Sequence, residues 1–123
     1  MAFEVTFELN PTHVALRGAG VYTIESALDL IAGAFAAAKQ QDVGAALIDV
    51  RAVEGMPAGM ERFEIGRFIA DHRVDGVRLA MVSNPAVAEP ARFSEDVATN
   101  RGGQFRVFTD TERATAWLED ISV

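Results

Sequence analysis

Phe3, Val5, Phe7 and Leu9 alternate with Glu4, Thr6 and Glu8. A period of two predicts a strand with one buried and one wet face. Asn10-Pro11-Thr12 breaks the alternation with turn chemistry. Val14 and Leu16 then resume it, with His13, Ala15 and Arg17 on the opposite face. The two segments predict an antiparallel pair that ends at Gly18 and Gly20.

Thr23 is placed to cap a helix running to about Gln40. Ile24, Ala27, Leu28, Ile31, Ala34, Phe35 and Ala38 fall on one stripe of it, and the alanines allow close approach to what it covers. After Gly44, the run Ala45-Ala46-Leu47-Ile48 is apolar without alternation, the pattern of a central parallel strand covered on both faces. Asp49 and Arg51 stand where that strand should emerge, and Ala52 to Pro57 reads as a loop. A second helix is predicted from about Ala58 to Arg73, with Ile65, Phe68, Ile69 and His72 on its inner face and Glu64, Arg67 and Asp71 on a charged ridge. Met60 and Phe63 lie off both faces.

Asp75-Gly76 turns the chain into a strand from Val77 to Val82. Ser83-Asn84-Pro85 can open a third helical stretch. Pro90 predicts a break in it, with a short turn and then a helix from about Ala91 to Asn100. Phe105 and Val107 mark a last strand, and Asp110 caps a final helix carrying Ala114, Trp117, Leu118 and Ile121 on one face. The order β-β-α-β-α-β-α-β-α predicts an α/β fold: a mostly parallel five-stranded sheet with an antiparallel N-terminal edge strand, and four helices. No repeat or linker interrupts the 123 residues, so one domain over residues 1–123 is expected.

Composition narrows the chemistry. Eighteen acids against 11 bases leave a net charge of −7, which argues against nucleic acid and anionic membrane surfaces as partners. Arg92, Arg101 and Arg106, the nearest thing to a basic cluster, are interleaved with Glu89, Glu95, Asp96 and Asp110. The chain has no cysteine, which removes disulfides, thiolate metal sites and a cysteine nucleophile together. Its two histidines, His13 and His72, have no metal-ligand spacing, so neither a metal nor a cofactor is expected. Gly18-Ala19-Gly20 and Gly102-Gly103 read as turn punctuation, not as a nucleotide fingerprint. No apolar run approaches the ~20 residues of a membrane span. Acids interrupt the opening stretch, which predicts no secretion signal and makes the cytoplasm the expected compartment.

Four stretches together resemble the STAS domain family, in particular its SpoIIAA-like (STAS/SEC14-like) branch of small bacterial proteins. These are Leu16-Arg17-Gly18 with Tyr22-Thr23, Ala45 to Arg51, Val77 to Val82, and Phe105 to Asp110 with Ala114 to Leu118. The resemblance implies the fold given above and a bias toward contacts with proteins or small ligands, and it implies no activity. In sporulation-type members a serine after the central strand accepts a phosphoryl group. Here Glu54 to Met60 holds no serine, threonine or tyrosine, so that switch does not carry over to this segment.

Asp49, Arg51, Ser83 and Asn84 make up the candidate ligand-binding crevice, because ligands of open parallel sheets bind beyond the carboxyl ends of the strands. The bland alternative has Asp49 satisfying loop amides and Arg51 pairing with Glu54. Met60 and Phe63 are the candidate interface, preceded by the Gly55…Gly59 loop; the alternative is that the third helix or a loop covers Phe63. The leading expectation is a non-catalytic module that binds a protein or small ligand, or self-associates as a homodimer, through the second helix and the loop before it. A carrier of a lipid or small apolar ligand would instead need a closed apolar cavity above ~300 Å³. An enzyme would need perturbed acids converging on a pocket around Asp49, Arg51 and Ser83.

Overall fold

The computed structural model describes residues 3–120. The elements follow the predicted order: β1 (Glu4–Leu9), β2 (Val14–Val21), α1 (Ile24–Gln41), β3 (Ala45–Glu54), α2 (Gly59–Asp71), β4 (Arg78–Val82), α3 (Pro85–Asn100), β5 (Phe105–Phe108) and α4 (Thr111–Glu119). The strands form one sheet in the spatial order β1-β2-β3-β4-β5. β1 and β2 are antiparallel, and every other neighbouring pair is parallel. The carboxyl ends of β3, β4 and β5 therefore share one edge.

Local chemistry sets the helix ends. Thr23 accepts from the Ser26 N–H at 3.0 Å, and the Thr23 N–H in turn donates to the Ser26 hydroxyl. Asp42 ends α1 in the left-handed region (φ 55), which an aspartate tolerates better than most residues. Gly55, at φ 93, makes the turn between β3 and α2. Glu61 reaches back to accept from the Ala58 N–H at 3.1 Å at the start of α2. Asp110 caps α4 by accepting from the Arg113 N–H at 2.8 Å.

The core has two parts, one on each face of the sheet. On one face Val14, Leu16, Ala46, Ile48 and Leu79 pack against Leu30, Ile31 and Phe35 of α1 and Ile65 and Ile69 of α2. On the other, Ala45, Leu47, Ala80 and Val82 pack against Ala114 and Leu118 of α4. The unbroken apolar run of β3 has this cause: its alternate side chains enter the two half-cores.

Five expectations change. Val5, Phe7 and Leu9 are not buried, because α1 lies over β2 and β3 and leaves β1 uncovered. β2 continues through Gly18 and Gly20 to Val21, with an irregularity against β3 between Arg17 and Ala19. β3 runs on to Glu54, where a loop was expected from Ala52, because Ala19 to Val21 pair with Ala52 to Glu54. His72 lies outside the inner face of α2; it is exposed at the helix end, stacked on Phe68 with ring centroids 3.9 Å apart. α3 is one helix from Pro85 with Pro90 inside it. Pro90 sits in its second turn, where it withholds a single N–H from the carbonyl of Ala86, an exposed residue, so the helix survives. Ile121, expected on the face of α4, lies outside the described residues.

Candidate functional site

Asp49 and Arg51 stand two residues apart on β3 and form a two-pronged ion pair. Arg51 Nη2 donates to Asp49 Oδ2 at 2.8 Å and Nε donates to Oδ1 at 3.0 Å. Burial alone would raise the Asp49 pKa, but the Arg51 hydrogen bonds and charge, with Arg17 nearby, hold it below the usual carboxylate range. Asp49 in turn raises Arg51. Arg51 also donates to Thr111 Oγ1 at 3.2 Å, and Asn84 Nδ2 donates to the Arg51 carbonyl at 3.1 Å. The partner of Arg51 is thus Asp49, where the sequence had offered Glu54. Ser83 has no exposed surface, and its hydroxyl lies 3.4 Å from the Asn84 carbonyl. The four residues meet at one sheet edge with their polar groups turned mainly on one another and on α4. That arrangement ties β3, which continues three residues past Arg51, to α4 and to the start of α3.

The second region is more open. Met60 is 75% exposed at the start of α2, and Phe93 on α3 is 50% exposed. Phe93 lines a groove with Gly59 and Arg62 of α2 and Glu89 and Pro90 of α3. Met56, in the loop before α2, is also exposed. Phe63 is half-buried: the Arg101 guanidinium, from the residue that ends α3, sits 5.6 Å from its ring centroid. Phe63 thus differs from Met60, with which the sequence paired it.

Two polar ties hold this region. Ser94 of α3, buried, donates to the Arg62 carbonyl at 2.7 Å. Arg62 Nη1 donates to the Pro57 carbonyl at 2.7 Å, drawing the loop onto α2. Tyr22, at the end of β2, donates to Glu61 Oε1 at 3.2 Å; burial first, and then the Glu61 charge, raise the Tyr22 pKa. Behind the loop lies an apolar cavity of about 80 Å³, lined among others by Tyr22, Ile48, Met56, Ile65, Met81 and Pro90. That is well under the ~300 Å³ of a ligand pocket.

Phe93 and Met56 escaped the sequence reading. Once α3 is taken to start at Pro85, its buried residues Ala88, Ala91, Ser94 and Ala98 form a stripe of small side chains. Phe93 falls off that stripe, which is the signal that could have found it. The arginines of the supposed basic cluster are each engaged. Arg92 lies 3.7 Å from Glu95, Arg101 covers Phe63, and Arg106 sits 5.6 Å from the Trp117 ring centre. His13 is buried against the expectation of a polar face, its Nδ1 3.1 Å from Thr12 Oγ1, which donates to Glu119 of α4 at 3.2 Å. Among the described residues no group of three or more His, Cys, Asp or Glu could hold a metal ion, and no helix is long and apolar enough to cross a membrane.

This arrangement of strands and helices is the SpoIIAA-like fold of STAS domains. An anti-sigma factor antagonist from Mycobacterium paratuberculosis superposes with a TM-score of 0.68 at 17% identity, over 97% of this chain and 96% of that one. A protein of the DUF3478 family with a SpoIIAA-like fold, from Shewanella loihica PV-4, superposes with a TM-score of 0.53 at 21% identity, over 94% of this chain and 93% of that one. No family model and no curated protein matches the sequence.

Proposed function

We propose that this chain is a non-catalytic interaction module of a bacterial cytoplasm, acting as one domain that docks a regulatory protein. The docking surface is the loop before α2, the first turns of α2 and the adjoining turns of α3. The observation that carries this reading is the exposed Phe93 that lines the α2–α3 groove, with exposed Met60 next in sequence to its lining residue Gly59 and exposed Met56 in the loop before α2. Exposed apolar side chains gathered beside a groove gain free energy when a partner covers them. One of the structural neighbours is an anti-sigma factor antagonist, which supports a protein as the partner.

The Asp49–Arg51–Asn84 cluster is read as an anchor of the sheet edge, since its charges already neutralise each other. The apolar cavity, at about 80 Å³, holds less than the ~150 Å³ dry cavity that takes up benzene, so a lipid carrier is not favoured.

Titration calorimetry of the purified chain against anti-sigma factors of its own organism tests this reading. Binding should weaken at least about tenfold in Met60→Glu and in Phe93→Glu, and stay unchanged in Arg51→Ala. Binding that ignores both apolar substitutions but fails in Arg51→Ala would move the interface to the strand ends.

A further inference from the structure

We infer that the free edge of β1 is a second interaction surface, which pairs with β1 of another copy of this chain, antiparallel and centred on Phe7. This surface is separate from the α2–α3 groove and does not depend on it.

The direction of the β1 backbone groups follows from the hairpin. The Asn10 N–H donates to the His13 carbonyl at 3.1 Å, and Asn10 opposite His13 continues the register Glu4↔Ala19, Thr6↔Arg17, Glu8↔Ala15. In an antiparallel ladder, pairs that exchange hydrogen bonds alternate with pairs that do not. Glu4, Thr6 and Glu8 therefore bond β2, while Val5, Phe7 and Leu9 turn their N–H and C=O groups outward. Among the described residues no strand lies on that side, and no side chain caps those groups.

The opposite edge of the sheet is treated differently. On β5 the Val107 N–H donates to Glu95 Oε1 at 2.8 Å, and Arg92 Nη1 lies 3.5 Å from the Val107 carbonyl. Side chains of α3 thus occupy the outer edge of β5. β1 has no such cover and neither a lysine nor a proline; its charges are Glu4 and Glu8, on the face opposite Val5, Phe7 and Leu9.

The side chains point to a second copy. Val5, Phe7 and Leu9 stand opposite Gly18, Leu16 and Val14, so they form an exposed apolar row on the α1 side. With two copies centred on Phe7, Phe7 meets Phe7, Val5 meets Leu9, and Thr6 meets Glu8. All three outward residues of each strand then exchange backbone hydrogen bonds. A register centred on Thr6 instead sets Glu4 against Glu8 twice, and one centred on Glu8 sets Glu8 against itself. In the Phe7 register, the Glu8 of one copy joins the row that already runs Asp49, Arg17, Thr6. It stands two strand spacings from Arg17, roughly 10 Å between α-carbons, within the combined reach of the two side chains. Glu4 and Glu8 of the facing strand are diagonal neighbours of that Glu8 at about 7–8 Å, so Arg17 offsets an acidic row and the register is selected by the match of the apolar residues and the absence of directly opposed acids.

Sizing of the full chain by light scattering, with cysteine substitutions for register, tests the proposal. The chain has no cysteine of its own. Phe7→Cys should form a disulfide dimer on mild oxidation, because α-carbons in a hydrogen-bonded antiparallel pair lie about 5.5 Å apart. Val5→Cys alone should not, whereas a mixture of Val5→Cys and Leu9→Cys should. Phe7→Pro removes an outward N–H and no bond to β2, so it should stay folded by circular dichroism and lose the dimer. Arg17→Glu should weaken the dimer, and adding Glu8→Arg should restore it. A monomeric wild type at submillimolar concentration, or equal cross-linking of Phe7→Cys and Val5→Cys, overturns the proposal. Should Phe7→Pro unfold, the cysteine comparison decides alone.

Discussion

Gly66 of α2 lies so close to Ser94 of α3 that a methyl group on Gly66 would stand 2.6 Å from the Ser94 carbonyl oxygen and 2.7 Å from the Val97 β-carbon. The two helices meet backbone to backbone here, with the Val97 side chain alongside, and the small stripe Ala88, Ala91, Ser94 and Ala98 allows it. Gly66→Ala should therefore push the helices apart and cost about 1–3 kcal/mol, read as a lower urea midpoint. Unchanged stability would mean that α2 can slide, and that the groove above it is not fixed.

Ser94→Ala removes the donor to the Arg62 carbonyl, a bond made at a fully buried hydroxyl. The expected loss is about 1–2 kcal/mol in denaturant unfolding.

Pro90→Ala returns an N–H to the second turn of α3 and should stabilise the chain by about 1–3 kcal/mol. Thermal unfolding followed by circular dichroism reads this directly. A destabilised variant would show instead that the proline ring, which lines both the cavity and the groove, is needed there for packing.

Burial lowers the His13 pKa, against the pull of Glu119 and Glu8 upward. The unfolded chain then binds a proton more readily than the folded one. Stability from His13 is fully present above about pH 6.5 and is lost as pH falls through the lower folded value. Unfolding midpoints should drop between pH 7.5 and pH 5, and His13→Gln should flatten that slope. A midpoint that rises on acidification would reverse the assignment. Asp49, whose pKa is also depressed, adds a loss of the same sign at lower pH, below about 4.

The Asp49–Arg51 pair is partly open to solvent, so Arg51→Ala should cost only about 0.2–1 kcal/mol. A larger loss in chemical denaturation would mean that its tie to Thr111 and the Asn84 bond to its carbonyl hold the sheet edge together.

Local patterns carried the strand and helix order, the caps at Thr23 and Asp110 and the two-faced burial of Ala45 to Ile48, because period and capping chemistry are properties of a few neighbouring residues. The same patterns placed Asp49, Arg51, Ser83 and Asn84 at one edge, since parallel strands point their ends alike. Which side chains those polar groups would hold was decided by packing, which set Arg51 on Asp49 and sealed Ser83 from solvent. The alternation of β1 promised a buried face, but burial depends on what lies above a strand, and α1 settled on β2 and β3. The break at Pro90 was likewise a local rule overruled, because one lost hydrogen bond in a second turn is outweighed by a helix packed along its length. The sequence by itself determined the elements and their order. Only the tertiary structure decided which apolar residues stay uncovered, at Met60 and Phe93 and along Val5, Phe7 and Leu9, because exposure is a relation between elements far apart in the chain.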